Sequence, residues 1–369
     1  MRAFEFLFEA KPKVGREFQH LEDLVFTDPS RGAIRAVEIL KGLSQDASKV
    51  SIKWDGYPTI YWGRDADGDF VLVGKNNWGR EEGKSKSPED LQRFILSRGK
   101  GEDWRPRFAK EMAALWPMFE KATPKDFRGY VYGDLLYHPG KPYEGSDGTI
   151  SFNPNPKGTT YHVRATSDIG RKIAKSKVAV AAHLRFDNFG DSMSDGDPLD
   201  DIQMFRSNPE LVVFGQTYVS TQPEVDVDNI ESIAKIANQS QPQISKFFEP
   251  VKGLSNPGQI FYKFVNTMSR ENKLDSISTE EFNNFIANNI SQGQQAKFAA
   301  KSEEQSGVLD NIFYLIREIM QGKNEIIREL DAAQGDIVAT TGGEKGGEGY
   351  VSSQDNVKLV PRHLWNPFK

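Results

Sequence analysis

Val50-Ser51-Ile52-Lys53-Trp54-Asp55-Gly56-Tyr57-Pro58-Thr59-Ile60-Tyr61 is the stretch on which the fold of this chain turns. Two β-prone runs, at 50–52 and 59–62, enclose a lysine, an acid and a glycine-proline turn. A lysine at a strand end, followed by an acid and a tight turn, is placed to act as a buried nucleophile. Lysine attacks phosphorus only as the neutral amine, and burial beside positive charge lowers its ammonium from about 10.4 toward neutrality. So short a pattern also arises by chance as an ordinary turn, so its neighbours decide.

Immediately upstream, Asp28-Pro29-Ser30 precedes Ala33, Ile34, Val37, Leu40 and Leu43, a capped amphipathic helix by its spacing. Downstream, Phe70 to Val73 is another β-prone run, with Asp65-Ala66-Asp67-Gly68 as the turn before it. Helical spacing follows at 87–96 and 108–119, then strands at 129–137, 159–163 and 178–184, with a basic helix expected at 168–177. From about 229 to 334 the apolar residues keep helical faces: Ile260, Phe261, Phe264, Val265 and Met268, then Phe282, Phe285, Ile286 and Ile290. Glycines at 341–349 end this region, and strand-like residues resume at Tyr350-Val351 and 357–360. The pattern predicts an α+β domain with antiparallel sheets, made of 1–228 and 335–369 and interrupted by an all-helical insertion at 229–334.

Bulk composition narrows the class. A chain of 369 residues with 37% hydrophobic content and 24 Phe can build a sizeable core. No run approaches the roughly 18 apolar residues of a membrane span. Met1 to Ala10 contains Glu5 and Glu9, which argues against a signal peptide. The absence of cysteine excludes disulfides, thiol nucleophiles and Cys-based zinc sites. A cytoplasmic location is expected, with no membrane partner. The net charge of −5 is unlike a plain nucleic-acid coat, but its distribution is uneven. Lys157, Arg164, Arg171, Lys172, Lys175, Lys177 and Arg185 face a single acid, Asp168, and 191–231 then reverses the sign with Arg206 as its only base. The basic strip reads either as a solvated helix or as a phosphate-facing surface.

Three further segments accompany Lys53. Gly129-Tyr-Val-Tyr-Gly-Asp-Leu-Leu-Tyr137 sets Asp134 in a hydrophobic strand, Gly347-Glu-Gly-Tyr-Val351 sets Glu348 before another, and Val357-Lys-Leu-Val360 sets Lys358 on the next. With these in order along nearly the whole chain, the sequence resembles the covalent nucleotidyltransferase superfamily of ATP-dependent DNA ligases, RNA ligases and mRNA capping enzymes. It is most similar to uncharacterised ligase-like proteins of tailed bacteriophages, around 53–63, 70–75, 133–136, 161–163 and His183. The location would then be the host cytoplasm.

The resemblance implies a role for each matched position. Lys53 would form the phosphoramidate, and Asp55 and Gly56 would shape the turn that presents it. Lys75 would stand near the ribose and the substrate phosphate, and Asp134 would hold the ribose or a metal-bound water. Glu348 would help bind Mg²⁺, Lys358 would contact the α-phosphate, and His183 or Phe186 would lie against the adenine. Each has an ordinary counterpart: a turn acid, a loop glutamate, a surface lysine, a structural histidine. Trp54, Trp62 and Trp78 read as core or rim.

Departures from the family pattern shape the expectation. Pro58 stands where a DNA ligase carries arginine, Ser51 replaces the acid two places before the lysine, and Val360 replaces a second lysine. Nine residues follow Val360, too few for a C-terminal OB-fold. The expected activity is an ATP- and Mg²⁺-dependent polynucleotide ligase acting on 5′-phosphate and 3′-hydroxyl ends in nucleic-acid repair, RNA slightly before nicked DNA. The alternatives are capping-type nucleotidyl transfer, or a non-catalytic phage interaction or structural protein on the same fold. The helical insertion would serve substrate or protein-partner choice.

Overall fold

Apolar spacing and turn chemistry account for most elements of the computed structural model, which describes residues 18–97, 104–146, 148–155, 158–199, 202–205, 208–219, 221–254, 256–333, 335–341, 344–345 and 349–362. Two compact units divide them: a central unit, Trp54–Thr217, and a split unit, Gln19–Lys53 with Tyr218–Lys369. The chain passes from one to the other between Lys53 and Trp54. Both units mix helices with sheets, so the α+β class holds.

The first arm of the split unit runs β1 (Gln19–His20), the short helix α1 (Leu24–Thr27), α2 (Gly32–Gln45) and β2 (Val50–Ile52). Ala33, Ala36, Val37, Leu40 and Leu43 form the buried stripe of α2. The cap expected at 28–30 is corrected. Asp28 closes α1, its carbonyl accepts the Gly32 N–H at 2.6 Å, and Ser30 Oγ donates to its carboxylate, so Arg31 stands at the α2 cap without a side-chain bond.

The central unit continues with β3 (Thr59–Arg64), β4 (Phe70–Gly74), α3 (Pro88–Ser97), α4 (Trp104–Ala122), β5 (Gly129–Tyr137), β6 (Glu144–Ser146), β7 (Thr149–Phe152), β8 (Thr159–Arg164), α5 (Asp168–Ile173), β9 (Val178–Phe186), β10 (Asp197–Pro198) and β11 (Leu211–Phe214). Its main sheet has the order β10-β9-β5-β3-β4, antiparallel throughout, with β11 added parallel to β9. One face carries Ile60, Trp62, Leu72, Val131, Leu135 and Val180 against Leu91, Met112, Leu115 and Phe119 of α3 and α4. The other carries Tyr61, Val71, Val73, Tyr130 and Phe186, closed by Trp78. Burial on both faces explains why β3 and β4 read as continuous apolar runs. The basic helix expected at 168–177 is shorter: Ser167 Oγ caps α5 by accepting the Gly170 N–H, and the helix stops at Ile173.

The second arm of the split unit holds α6 (Val227–Phe248), α7 (Pro257–Arg270), α8 (Thr279–Asn289), α9 (Gln292–Glu304), α10 (Val308–Ala333), β12 (Ile337–Thr341), β13 (Glu344–Lys345), β14 (Tyr350–Ser352) and β15 (Val357–Leu359). Phe247, Phe261, Phe264, Phe282, Phe298 and Phe313 pack ring against ring, with Phe261 and Phe282 centroids 4.4 Å apart. The same core takes in Leu24, Val25, Phe26, Leu40, Val50, Tyr350, Val357 and Leu359. The helices of 229–334 therefore share their core with α1, α2 and a small sheet, which corrects the separate insertion expected from sequence. Helix α2 packs on both α6 and α10. No helix among the described residues is long and apolar enough to cross a membrane.

Candidate functional site

Four strands from three parts of the sequence build the small sheet of the split unit, in the order β1-β15-β14-β2, with β14 and β15 as a hairpin. Its register sets His20 beside Lys358, Lys358 beside Val351, and Val351 beside Ser51. Paired residues share a face and side chains alternate along a strand. His20, Lys358, Val351 and Ser51 thus form one row on the outer face. The inner face carries Val50, Tyr350, Val357 and Leu359 into the helical core. The Lys53 N–H donates to the Gly349 carbonyl at 3.0 Å, which extends the ladder one pair beyond β2 and puts Lys53 on the same side as Ser51. Gly349 has a φ of +82°, and a Cβ there would lie 2.1 Å from the Leu359 carbonyl oxygen, so only glycine fits.

A buried ionic cluster adjoins this row. Lys323, fully buried in the middle of α10, donates to both oxygens of Glu22 at 2.9 and 2.8 Å. Arg362 binds Glu22 at 3.1 Å, both oxygens of Asp23 at 2.6 and 3.0 Å, and Asn266 at 2.9 Å. Burial raises the Glu22 carboxyl, but Lys323 and Arg362 outweigh it and hold it below its ordinary value. His20 Nδ1 stands 3.9 Å from Glu22 Oε1. Burial, and then the charges of Lys358, Arg362, Lys323 and Lys53, hold the imidazole well below its ordinary value and keep it neutral. Lys53 and Lys358 therefore both act on one imidazole, as their shared face requires.

Ser51 Oγ is buried with no hydrogen-bond partner. Val360, where the family pattern has a second lysine, is buried. Glu348 lies outside the described residues.

In the central unit, the turn after Lys53 is fixed by aromatic packing. The Trp54 ring is buried against Phe152, Tyr161 and Phe214, and its Nε1 donates to Thr217 Oγ1 at 3.0 Å. The Asp55 N–H donates to Tyr161 Oη at 2.8 Å. Tyr57 and Pro58 pair with Leu135 through bonds of 2.8 and 3.1 Å, drawing the turn onto β5. A Cβ at Gly56 would meet the Leu135 carbonyl oxygen at 2.4 Å, which is the physical reason for glycine there.

Two residues on, Thr59 pairs with Asp134 across β3 and β5, and Thr59 Oγ1 donates to Asp134 Oδ1 at 2.6 Å. His183 Nε2 meets Asp134 Oδ2 at 3.2 Å, at the point where the β5–β9 register shifts. Tyr132 flanks His183 with ring centroids 5.6 Å apart, and the His183 side chain keeps 29% exposure. Burial, reinforced by the Asp134 charge, pushes the Tyr61 hydroxyl up, so it stays protonated. Lys75 is exposed at the start of the turn after β4. Phe186 is enclosed by Tyr61 and Trp78, at 5.9 and 5.4 Å, so its ring is wall rather than an open platform for a base.

The structure thus gathers Lys53 with Lys358 in one unit, and Asp134 with His183 in the other. Sequence reasoning missed Thr59 and His20. The strand register carries both, and for Thr59 the β-prone run after Pro58 was the available signal. Among the described residues no group of three or more His, Asp or Glu gathers to hold a metal. Asp134 already accepts from Thr59 and contacts His183, which suits a bond to a hydroxyl or to a metal-bound water better than direct coordination.

A family model matches residues 16–366, nearly the whole chain, and is described only as a family of unknown function, DUF6267. No curated protein and no solved structure matches.

Proposed function

The chain belongs to the DUF6267 family, and we propose that it is an ATP-dependent polynucleotide ligase working through a covalent Lys53–AMP. The observation that carries this reading is the shared outer face of the small sheet, where Lys53 and Lys358 meet from opposite ends of the sequence. Chance short motifs have no reason to converge on one face.

The Lys53 amine attacks the α-phosphorus of ATP, a P–N bond forms, the bond to the bridging oxygen breaks, and pyrophosphate leaves. Lys358 offsets the charge that accumulates on the phosphoryl oxygens, which is what phosphoryl transfer asks of a protein. A 5′-phosphate oxygen then displaces Lys53 from phosphorus, giving a 5′-adenylylated end. A 3′-hydroxyl attacks that end, a phosphodiester forms and AMP departs. Mg²⁺, when bound with the nucleotide, would neutralise phosphate charge; it prefers phosphate oxygens with one or two carboxylates.

The test is incubation with α-labelled ATP or GTP and Mg²⁺, followed by a denaturing gel and peptide mapping. AMP is expected on Lys53, and Lys53→Ala and Lys53→Arg should both abolish it, since a guanidinium supplies no neutral amine. Label on GTP alone points to capping-type transfer. No label, or label on another lysine, sinks the reading.

A further inference from the structure

Helices α6 and α10 of the split unit leave a groove between them, about 570 Å³ in volume. That is the size of a small-molecule site, roughly 300–1,000 Å³, but such sites are walled mostly by apolar side chains and this one is not. Gln239, Ser240 and Gln243 line it from α6, and Asn311 and Tyr314 from α10, with Ile236 as an aliphatic patch. Ser240 is only 4% exposed, yet among the described residues no group hydrogen-bonds its hydroxyl, which lines the groove. The side-chain amides of Gln239, Gln243 and Asn311 and the Tyr314 hydroxyl are likewise without a partner among the described residues. Burial, with the Glu318 charge adding to it, pushes the Tyr314 hydroxyl up, so it stays protonated and can donate. The two charged residues of the lining are opposite in sign and already engaged. Asp310 accepts from Thr279 Oγ1, and Arg317 donates to the Ile277 carbonyl.

A phosphate-bearing ligand calls for cations in excess, a lipid for apolar walls, and a peptide for a sheet edge or an apolar groove. This lining matches none of the three. Each of its amides offers a donor and an acceptor, and each hydroxyl offers both at one atom. A sugar presents the same mixture, together with a C–H face that packs on the negative face of an aromatic ring. We propose that the α6–α10 groove binds a neutral saccharide, with the Tyr314 ring against one face of a pyranose and Ser240, Gln243 and Asn311 bonded to its hydroxyls. Burying the ligand there gives the Ser240 hydroxyl the partner that the protein does not supply. The site uses none of the residues assigned to the Lys53 chemistry and stands apart from that reading.

The experiment uses the full chain with maltose, cellobiose and N,N′-diacetylchitobiose in saturation-transfer NMR, and tetraglycine as the peptide comparison. At least one sugar should receive saturation, strongest at the ring C–H protons of one face, and equally at low and high salt because the contact is uncharged. Titration of that sugar then gives its affinity for wild type and variants. Gln243 is exposed, so Gln243→Ala leaves the fold alone and should weaken binding about fivefold, the worth of one hydrogen bond. Tyr314→Ala should weaken it about tenfold by removing the ring, and Tyr314→Phe, which keeps the ring, should cost less. If Tyr314→Ala does not fold, Tyr314→Leu, which keeps the bulk without the π-face, replaces it. Saturation of none of the sugars, binding abolished by salt, transfer to tetraglycine instead, or affinities unchanged in both Gln243→Ala and the Tyr314 variant overturns the proposal. The readout does not involve Lys53, so the saccharide site and the ligase reading stand or fall separately.

Discussion

Two sheets of this protein, the main sheet of the central unit and the small sheet of the split unit, are stabilised by different means. The main sheet of the central unit joins the β3–β4 hairpin to the long strands β5 and β9 and is apolar on both faces, with Trp62 packed between Phe119 and Phe205. The small sheet adds the short strands β1 and β2, from the first arm, to the β14–β15 hairpin of the second. Only its inner face is apolar, and its outer face and margin carry lysines, a histidine and a buried ionic cluster. Apolar packing tolerates modest change at many positions, whereas a buried charge network depends on each partner. The chemistry proposed here falls on the second kind of sheet, where the chain places charge at a cost in desolvation.

Removing one partner of the ionic cluster should give the largest effect. Arg362→Met leaves Asp23 buried without its cation, and a loss of about 3–5 kcal/mol is expected in urea unfolding. Hydrogen exchange should show the small sheet opening first while the main sheet stays protected. A loss below 1 kcal/mol would mean that the two sheets do not differ in this way.

Next come the glycines that bracket Lys53. Gly349→Ala combines a strained φ with a backbone clash, and Gly56→Ala has the clash alone. Costs of about 1–3 kcal/mol are expected, with Gly349→Ala the greater. Reversal of that order, read from thermal unfolding, would put the stricter geometry in the central unit.

A pH effect follows from His20. Its value in the folded chain lies below the unfolded value of 6.5, so the unfolded chain binds the extra proton first as pH falls. The stability contributed by neutral His20 is therefore complete above 6.5 and is lost as pH drops below it toward the folded value. The slope in that window is at most about 1.4 kcal/mol per pH unit. Urea midpoints should fall more between pH 7.5 and 5.5 in wild type than in His20→Gln, and parallel curves would show that His20 is not held neutral.

The smallest effect belongs to Lys75. Exposed on a surface turn, it should change stability by less than about 0.5 kcal/mol when replaced by alanine. A lowered rate of end joining with unchanged Lys53 label would then give it a role on the substrate side alone.

The same contrast explains what could be read from the sequence. The strands of the main sheet are plain in themselves: the turn at Asp65–Gly68 joins β3 to β4, and Gly129 and Tyr137 bound a strand with its full apolar length. The stripe of α10 was equally plain. Three strands of the small sheet show as β-prone runs at 50–52, 350–351 and 357–360, but β1 has two residues and leaves no trace, and no run predicts its partner. Lys53 and Lys358 were found through ordered motifs, but nothing near His20 announces that it will sit beside Lys358. The buried state of Lys323 is also invisible locally, since a lysine on a long helix reads as surface until Glu22 is known to face it. Phe186 misled for the converse reason. Its strand position was right, but the sequence does not tell that Trp78 covers the ring.

The ladder that ties β2 to β14, β14 to β15 and β15 to β1 also sets an order in time. As the chain leaves the ribosome, Lys53 emerges early, but its face has no neighbours until residues through Arg362 have followed. The main sheet of the central unit, whose last strand ends at Phe214, can fold well before that. A nascent or shortened chain would thus display a folded main sheet and an unassembled Lys53, whose face is completed only when synthesis has passed the small sheet's final strand.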